Sequence, residues 1–296
     1  MTRRQVRLKP DTTDAEAAIE AGSVRVASVR SPYCACGDSR STEAAVFVHG
    51  NPGSSEDWRS LVAAVGRFGR AIALDMPGFG KADKPPDFDY TVEGYARHLD
   101  GALAQLGVRR AHLVLHDFGG AWGLAWAAAH PETVASLTLI NIGLMPGYRW
   151  HYMARIWRTP IVGEIFQATA TRWGFHASLR HGNPRGLPRA FVDRMYDDYD
   201  RGTRRAVLRL YRATSDPGSL SAAFAAGHPA RDVPVLVIWG AADPYVPVAY
   251  AERQREFFPR ARVVTLERSG HWPFADDPDA VAAEVVPFLK GQMAPP

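Results

Sequence analysis

Two cysteines are all that the 296 residues contain, and they stand one residue apart, at Cys34 and Cys36. Side chains that close in sequence rarely reach disulfide geometry. No further ligand set gathers around them, so a metal site has no support, and the expectation is a pair of free thiols in a loop. Long hydrophobic runs are also missing, and nothing in the chain is apolar enough for long enough to span a bilayer. The opening MTRRQVRLKPDTT carries charge without an apolar stretch and lacks the pattern of a secretory signal. The net charge of +4 comes from basic residues scattered along the chain, whereas nucleic-acid binding needs a clustered patch. These absences point to a cytoplasmic enzyme acting on a small molecule and water, without nucleic-acid or membrane partners.

What is present suits a large globular fold. At 46% hydrophobic and 22% charged, the composition supports one sizeable α/β core with room for an inserted module. Residues 1–15 read as a flexible arm. Ala17 to Ser31 alternates in places, at Val24, Val26 and Val29, as a half-buried hairpin would. A continuous apolar run, Ala44-Ala45-Val46-Phe47-Val48, then ends at His49-Gly50, as expected of a strand buried on both faces of a parallel sheet. Helices and strands alternate from there: a helix near Asp57 to Phe68, a strand at Ala71 to Leu74, a helix from Val92 to Leu106. A strand from His112 to Leu115, a helix from Ala121 to Ala129 and a strand from Val134 to Ile142 follow. From Leu144 to Pro229 the rhythm breaks into helical periodicity rich in aromatics and arginines. It resumes with the strand Val233 to Gly240, a helix from Tyr250 to Phe257, a strand from Arg262 to Leu266 and a helix from Pro278 to Leu289. The pattern implies a mostly parallel sheet with helices on both faces. The expected organisation is a core of residues 16–143 and 230–296 with residues 144–229 inserted as a helical cap.

Three ionisable residues fall at carboxyl ends of expected strands, where open α/β sheets place their ligands. Asp117 follows Val114-Leu115-His116 and precedes Phe118-Gly119-Gly120. Asp243 lies in Gly240-Ala241-Ala242-Asp243-Pro244, and His271 in Ser269-Gly270-His271-Trp272. Any one alone reads as a cap, turn or satisfied core group. All three, ordered nucleophile, acid, histidine, match the order of nucleophile-elbow hydrolases. At the elbow, where a serine would need a base to activate it, the chain carries an aspartate, which is ionised near pH 7 and can attack carbon directly to leave an ester. A helix N-terminus there favours the anion. Asp75-Met76-Pro77-Gly78-Phe79-Gly80 reads as a turn, since Gly78 and Gly80 lack the rest of a dinucleotide fingerprint.

On these motifs, together with His49-Gly50-Asn51-Pro52, Asp243-Pro244 and Gly270-His271, the chain from Val24 to Leu289 resembles the α/β-hydrolase fold, in its epoxide hydrolase and haloalkane dehalogenase branch. The resemblance implies a covalent ester on Asp117, cleaved by water that His271 deprotonates while Asp243 orients the imidazole. It implies an oxyanion hole from the backbone N–H groups of Phe118 and Asn51, places His49 and Trp173 at the substrate, and calls for no metal or organic cofactor. One departure is Leu115, two residues before Asp117, where the family often has a small residue.

The two branches differ in leaving group. Epoxide opening needs a proton donor, which family members draw from cap tyrosines. Tyr211-Arg212 resembles the late-cap segment, and Tyr152, with Tyr148 as the alternative, is the expected second tyrosine. Halide release needs donors in a dry pocket. Asn51 fits that role, but Phe118 stands where a tryptophan usually supplies an indole N–H, leaving Trp173 or Trp157 to substitute. The balance favours an epoxide hydrolase acting on an apolar epoxide, with the dehalogenase as alternative. A non-catalytic receptor on this fold would not need all of Asp117, His271 and Asp243. Monomer and homodimer both remain open.

Overall fold

The computed structural model describes residues 18–226 and 228–294; the expected arm at 1–15 lies outside them. The strands are β1 (Glu20–Val26), β2 (Val29–Cys36), β3 (Glu43–Val48), β4 (Arg70–Leu74), β5 (Arg110–His116), β6 (Val134–Ile140), β7 (Val235–Gly240) and β8 (Arg262–Leu266). They pair in the order β1-β2-β4-β3-β5-β6-β7-β8, antiparallel across β1–β2 and β2–β4 and parallel from β4 onward. The central strands are buried along almost their whole length. That is why β3, β4 and β7 appear in sequence as nearly continuous apolar runs.

The core helices are α1 (Arg59–Val65), α2 (Val92–Gln105), α3 (Phe118–Ala129), and, after the insertion, α10 (Ala249–Phe257), α11 (Pro273–Asp276) and α12 (Pro278–Gln292). Between β6 and β7 the chain forms α4 (Tyr152–Arg158), α5 (Val162–Ala168), α6 (Arg172–Gly182), α7 (Arg189–Asp198), α8 (Arg201–Ala213) and α9 (Pro217–Ala225). No strand interrupts that stretch among the described residues. Side-chain oxygens of Asp200 and Asp216 cap α8 and α9, satisfying amides that have no intrahelical partner. Helix α8 buries Thr203, Ala206, Val207, Leu210 and Tyr211, a stripe at helical spacing that turns Tyr211 towards the core. Charged contacts tie α7 and its end to the core. Arg194 reaches Ser54 Oγ at 2.7 Å and the buried Asp57 at 2.5 Å, and Lys81 pairs with Asp198 at 2.6 Å.

Three sequence readings change. The cysteines lie in β2 rather than in a loop, both buried and neither in a disulfide. Burial pushes the Cys34 thiol up to about 12, so it stays protonated and unreactive. The third helix starts at Phe118 rather than Ala121, with Asp117 as its N-cap. The hairpin runs further along the chain than expected, through Cys36.

Register places the site. Val48 lies level with Leu74 and Leu115, and His116 level with Ile140, so β3, β4, β5 and β6 end at one height. The turn after β5 is tight because glycines clear its path. A Cβ on Gly119 would lie 2.3 Å from the Val48 carbonyl oxygen, and one on Gly123 would lie 2.4 Å from Leu115 Cδ2. The bulky Leu115 therefore fits because α3 offers a glycine opposite it. Replacing Gly119 by alanine should force α3 away from β3, with no flexible side chain to yield. We expect Gly119→Ala to lower stability by about 1–3 kcal/mol in urea unfolding, and an unchanged midpoint would contradict this packing account.

Candidate active site

The backbone at Asp117 adopts φ 50 and ψ −129, a conformation outside the left-handed helical well that costs a non-glycine residue roughly 1–3 kcal/mol. The strain lifts the carboxylate out of the strand end. Gly50 leaves room for it, since a Cβ there would meet Asp117 Oδ1 at 2.3 Å. The Asn51 amide donates to Oδ1 at 2.7 Å, and Oδ2 lies 3.5 Å from His271 Nε2. The two oxygens thus differ: Oδ1 is held by backbone, and Oδ2 faces the imidazole. Asn51 supplies one donor expected of an oxyanion hole. No hydrogen bond from the Phe118 amide to Asp117 is present among the described residues.

Three hydrogen bonds fix His271. Its Nδ1 donates to Asp243 Oδ2 at 2.7 Å. Its backbone N–H donates to the Gly182 carbonyl at the end of α6, at 3.0 Å. Its own carbonyl accepts from His116 Nε2 at 2.7 Å. Gly270 allows the approach of α6, since a Cβ there would lie 2.1 Å from the Gly182 oxygen. Burial pushes His116 down to about 3, so it is neutral and serves as a fixed donor.

Asp243 accepts four hydrogen bonds. Oδ1 takes the amides of Tyr245 and Val246 at 2.7 and 3.0 Å, and Oδ2 takes His271 Nδ1 and Asn141 Nδ2, both at 2.7 Å. Asn141, at φ 49 directly after β6, also accepts from the Gly240 amide through Oδ1 at 3.0 Å. The sequence reading missed it. No local signal marked it, since β6 itself carries Ser136 and Thr138.

Burial alone would lower the His271 pKa, but the Asp243 and Asp117 carboxylates reverse that and raise it to about 10. Asp117 shows the converse. Burial would raise it, yet the His271 hydrogen bond and charge, with the Asn51 amide, bring it to about 2. At neutral pH the pair is an imidazolium facing a carboxylate.

Two cavities meet at this carboxylate. Asp117 and His151 line both, one of about 670 Å³ and one of about 1010 Å³. Tyr211 lines the larger, fully buried, with its hydroxyl accepting from Asn51 Nδ2 at 3.3 Å. Its phenol stays protonated because burial raises its pKa, while the Asn51 hydrogen bond opposes the shift.

Other expected residues lie elsewhere. Tyr152 is 45% exposed and lines neither cavity, because the first turn of α4 sends it outward and its neighbour His151 inward. Tyr148 lines the smaller cavity, but its hydroxyl donates to the Tyr245 carbonyl at 2.9 Å. Trp173 is 81% exposed near the start of α6, away from Asp117. His49 is buried under the site. Its Nδ1 donates to the Gly50 carbonyl at 2.8 Å and its Nε2 accepts the Met76 amide at 3.0 Å, so it supports the loop and does not meet a substrate. In place of Tyr152 the structure brings His151 to the cavity. Burial pushes it down to about 4, and its Nδ1 accepts the Ala154 amide at 3.3 Å. The proton of this neutral ring therefore sits on Nε2, making it a donor.

The chain also resembles known proteins. The family model for the alpha/beta hydrolase fold matches residues 45–278. A haloalkane dehalogenase of Mesorhizobium japonicum is 30% identical over 82% of this chain and 83% of its own. A cis-3-alkyl-4-alkyloxetan-2-one decarboxylase of Shewanella oneidensis is 29% identical over 83% and 82%. The crystal structure of the Cif epoxide hydrolase from Acinetobacter nosocomialis superposes with a TM-score of 0.81 at 16% identity, covering 92% of this chain and 89% of that one, and shows the shared fold.

Since two carboxylates hold the His271 proton, neutralising Asp117 should lower the His271 pKa from its value of about 10. Asp117→Asn tests this. Histidine NMR titration should find His271 losing its proton at distinctly lower pH in the variant than in the parent, and coincident titrations would contradict the electrostatic account.

Proposed function

Because this chain belongs to the α/β-hydrolase fold family, and is a hydrolase of the epoxide hydrolase and haloalkane dehalogenase type, we propose that it opens apolar epoxides to vicinal diols. We also propose that the helical insertion at 144–229 acts as the lid over this site. The observation that carries the epoxide reading is the pair of neutral donors beside Asp117, the Tyr211 hydroxyl and His151 Nε2–H.

In this mechanism Asp117 Oδ2 attacks an epoxide carbon while Oδ1 stays on the Asn51 amide. The ring oxygen takes the Tyr211 proton, and the Asn51 Nδ2 hydrogen bond stabilises the phenolate that forms. With Asp117 esterified, His271 is held by one carboxylate instead of two and releases its proton to restore Tyr211. Now neutral, His271 deprotonates water, which adds to the Asp117 ester carbon. Collapse of the tetrahedral intermediate expels the second hydroxyl as an alkoxide, which His271 protonates. Asp117, left as a carboxylic acid, returns its proton to His271. The resting imidazolium–carboxylate pair is restored, and the net reaction consumes epoxide and water alone.

A relative named for oxetanones supports an oxygen leaving group. An oxetanone, like an epoxide, is a strained ring whose opening leaves an oxygen anion. A second reading, halide release from the same Asp117 ester, draws support from the dehalogenase relative and from Asn51 beside the nucleophile. The buried Trp157 indole N–H, on the larger cavity and without a hydrogen-bond partner, would be its second donor. Against it, Asn51 Nδ2 is already engaged by Tyr211, and Phe118 offers a ring but no donor.

The two readings separate in one assay. Wild type and Tyr211→Phe are incubated with styrene oxide and with 1-bromobutane, and diol and bromide are measured. Diol formation is expected, slowed by about 10²–10⁴-fold in Tyr211→Phe, the usual range for a positioned acid. Bromide release that exceeds diol formation and survives Tyr211→Phe would replace the epoxide reading with the halide one.

A further inference from the structure

The two cavities that meet at Asp117 differ in chemistry. The smaller runs between α3, the start of the cap and α9, lined by Leu124, Leu144, Met145, Pro217, Leu220 and Phe224. The polar groups on this arm are already engaged. Ser221 Oγ accepts the Met145 amide, Thr214 Oγ1 donates to the Leu210 carbonyl, and Tyr148 donates to Tyr245. It offers a hydrocarbon chain a mostly apolar wall, so burial of apolar area would drive its filling.

The larger arm runs beneath α5 and α6 and holds an unmet polar group. Gln167 is 3% exposed, on the buried face of α5, and lines this arm with Tyr199. Its Nε2 donates to the Tyr199 hydroxyl at 2.9 Å, but its Oε1 has no hydrogen-bond partner. The Tyr199 proton finds no acceptor among the described residues. A buried amide oxygen left unpaired costs about 1–3 kcal/mol, and native folds keep such groups for a reason. The wall therefore presents one acceptor, Gln167 Oε1, beside one donor, Tyr199 O–H. A ligand hydroxyl satisfies both at once, donating to the first and accepting from the second. An ether or ester oxygen can only accept. A carboxylate finds no spare cation, since Arg204 behind this wall spends its donors on the carbonyls of Tyr199, Gln167 and Ala170.

We propose that the substrates are internal epoxides carrying an alkyl chain that fills the arm under α9 and a hydroxylated chain that docks between Gln167 and Tyr199. The proposal rests on the epoxide reading above and names the class of epoxide. Asp117 lies where the arms meet, so the attacked carbon sits between two substituents rather than at a chain end.

The test measures kcat/KM for three kinds of epoxide: a terminal alkyl epoxide, an internal cis-epoxide with plain alkyl chains, and internal epoxides with a hydroxyl at stepped positions along one chain. The internal compounds should exceed the terminal one. One hydroxyl position should exceed the plain internal epoxide about tenfold, the equivalent of about 1.4 kcal/mol. Gln167→Leu should erase that advantage, bringing the hydroxylated epoxide down to the plain internal one measured with the same variant, whose fold is checked by circular dichroism. Leu220→Ala should shift the preferred alkyl length upward by lengthening the apolar arm. No gain at any hydroxyl position, a gain that survives Gln167→Leu, or a carboxylate analogue preferred over the alcohol would overturn the proposal. Binding of the corresponding diols to wild type and Gln167→Leu, read by calorimetry, separates the two claims. Hydroxyl-dependent binding lost in Gln167→Leu, with no epoxide turned over, would uphold the arms and sink the epoxide reading. Turnover without hydroxyl-dependent binding would do the reverse.

Discussion

The strained backbone at Asp117 is the constraint on which the rest of this site depends. A carboxylate at the end of a buried strand would ordinarily lie in the plane of the sheet or cap the following helix. Here φ 50 turns it away from both. The conformation persists because surrounding atoms leave no alternative. Gly119 lets α3 press on the carbonyls of β3, Gly123 admits Leu115 beneath the turn, and Gly50 vacates the volume the carboxylate occupies. Each glycine removes a clash at a different point of one turn, so the strain is shared by the packing of β3, β5 and α3 rather than stored in one residue.

From that fixed carboxylate follows an electrostatic arrangement in which one imidazole serves two acids. Asp243 is fully hydrogen-bonded by Asn141, two amides and His271, so its charge is held without a second cation. Asp117 is held by one amide and the imidazolium. The difference suits different tasks. The saturated carboxylate orients the ring, while the other keeps Oδ2 towards the imidazole. Charge on His271 is then governed by whether Asp117 is ionised, a coupling that would let the same histidine rest as an acid and act as a base after Asp117 is esterified. Helix α6 takes part directly, since the His271 amide is anchored on the Gly182 carbonyl. Movement of α6 would therefore move the base.

Much of this was legible in the sequence, for reasons that differ between residues. Asp117, Asp243 and His271 follow buried strands, and a parallel sheet delivers its strand ends to one edge whatever else the fold does. Tyr211 was read from the resemblance of Tyr211-Arg212 to a late-cap segment, and the apolar stripe of α8 turns it inward. The start of the cap was not. His151 and Tyr152 are adjacent, and which one faces inward depends on where α4 begins, which tertiary packing sets and no local pattern reveals. Trp173 failed likewise, because an aromatic in an amphipathic segment does not announce its exposure. His49 was misplaced because a histidine beside a site looks the same whether it meets substrate or braces a loop. The difference lies in the Gly50 carbonyl and Met76 amide that occupy its two nitrogens. Asn141 and Gly123 act only through partners distant in sequence, Asp243 and Leu115, and so were invisible until the chain was folded.

The central claim is that Asp117 forms a covalent ester whose oxygen enters the product. Single turnover in ¹⁸O-water, with enzyme in excess over epoxide, tests it most directly. The account predicts that the first diol carries the unlabelled oxygen of Asp117 and that the peptide containing Asp117 gains one ¹⁸O. Label appearing in the first diol, with the Asp117 peptide unlabelled, would mean that water attacks the substrate directly and would contradict it.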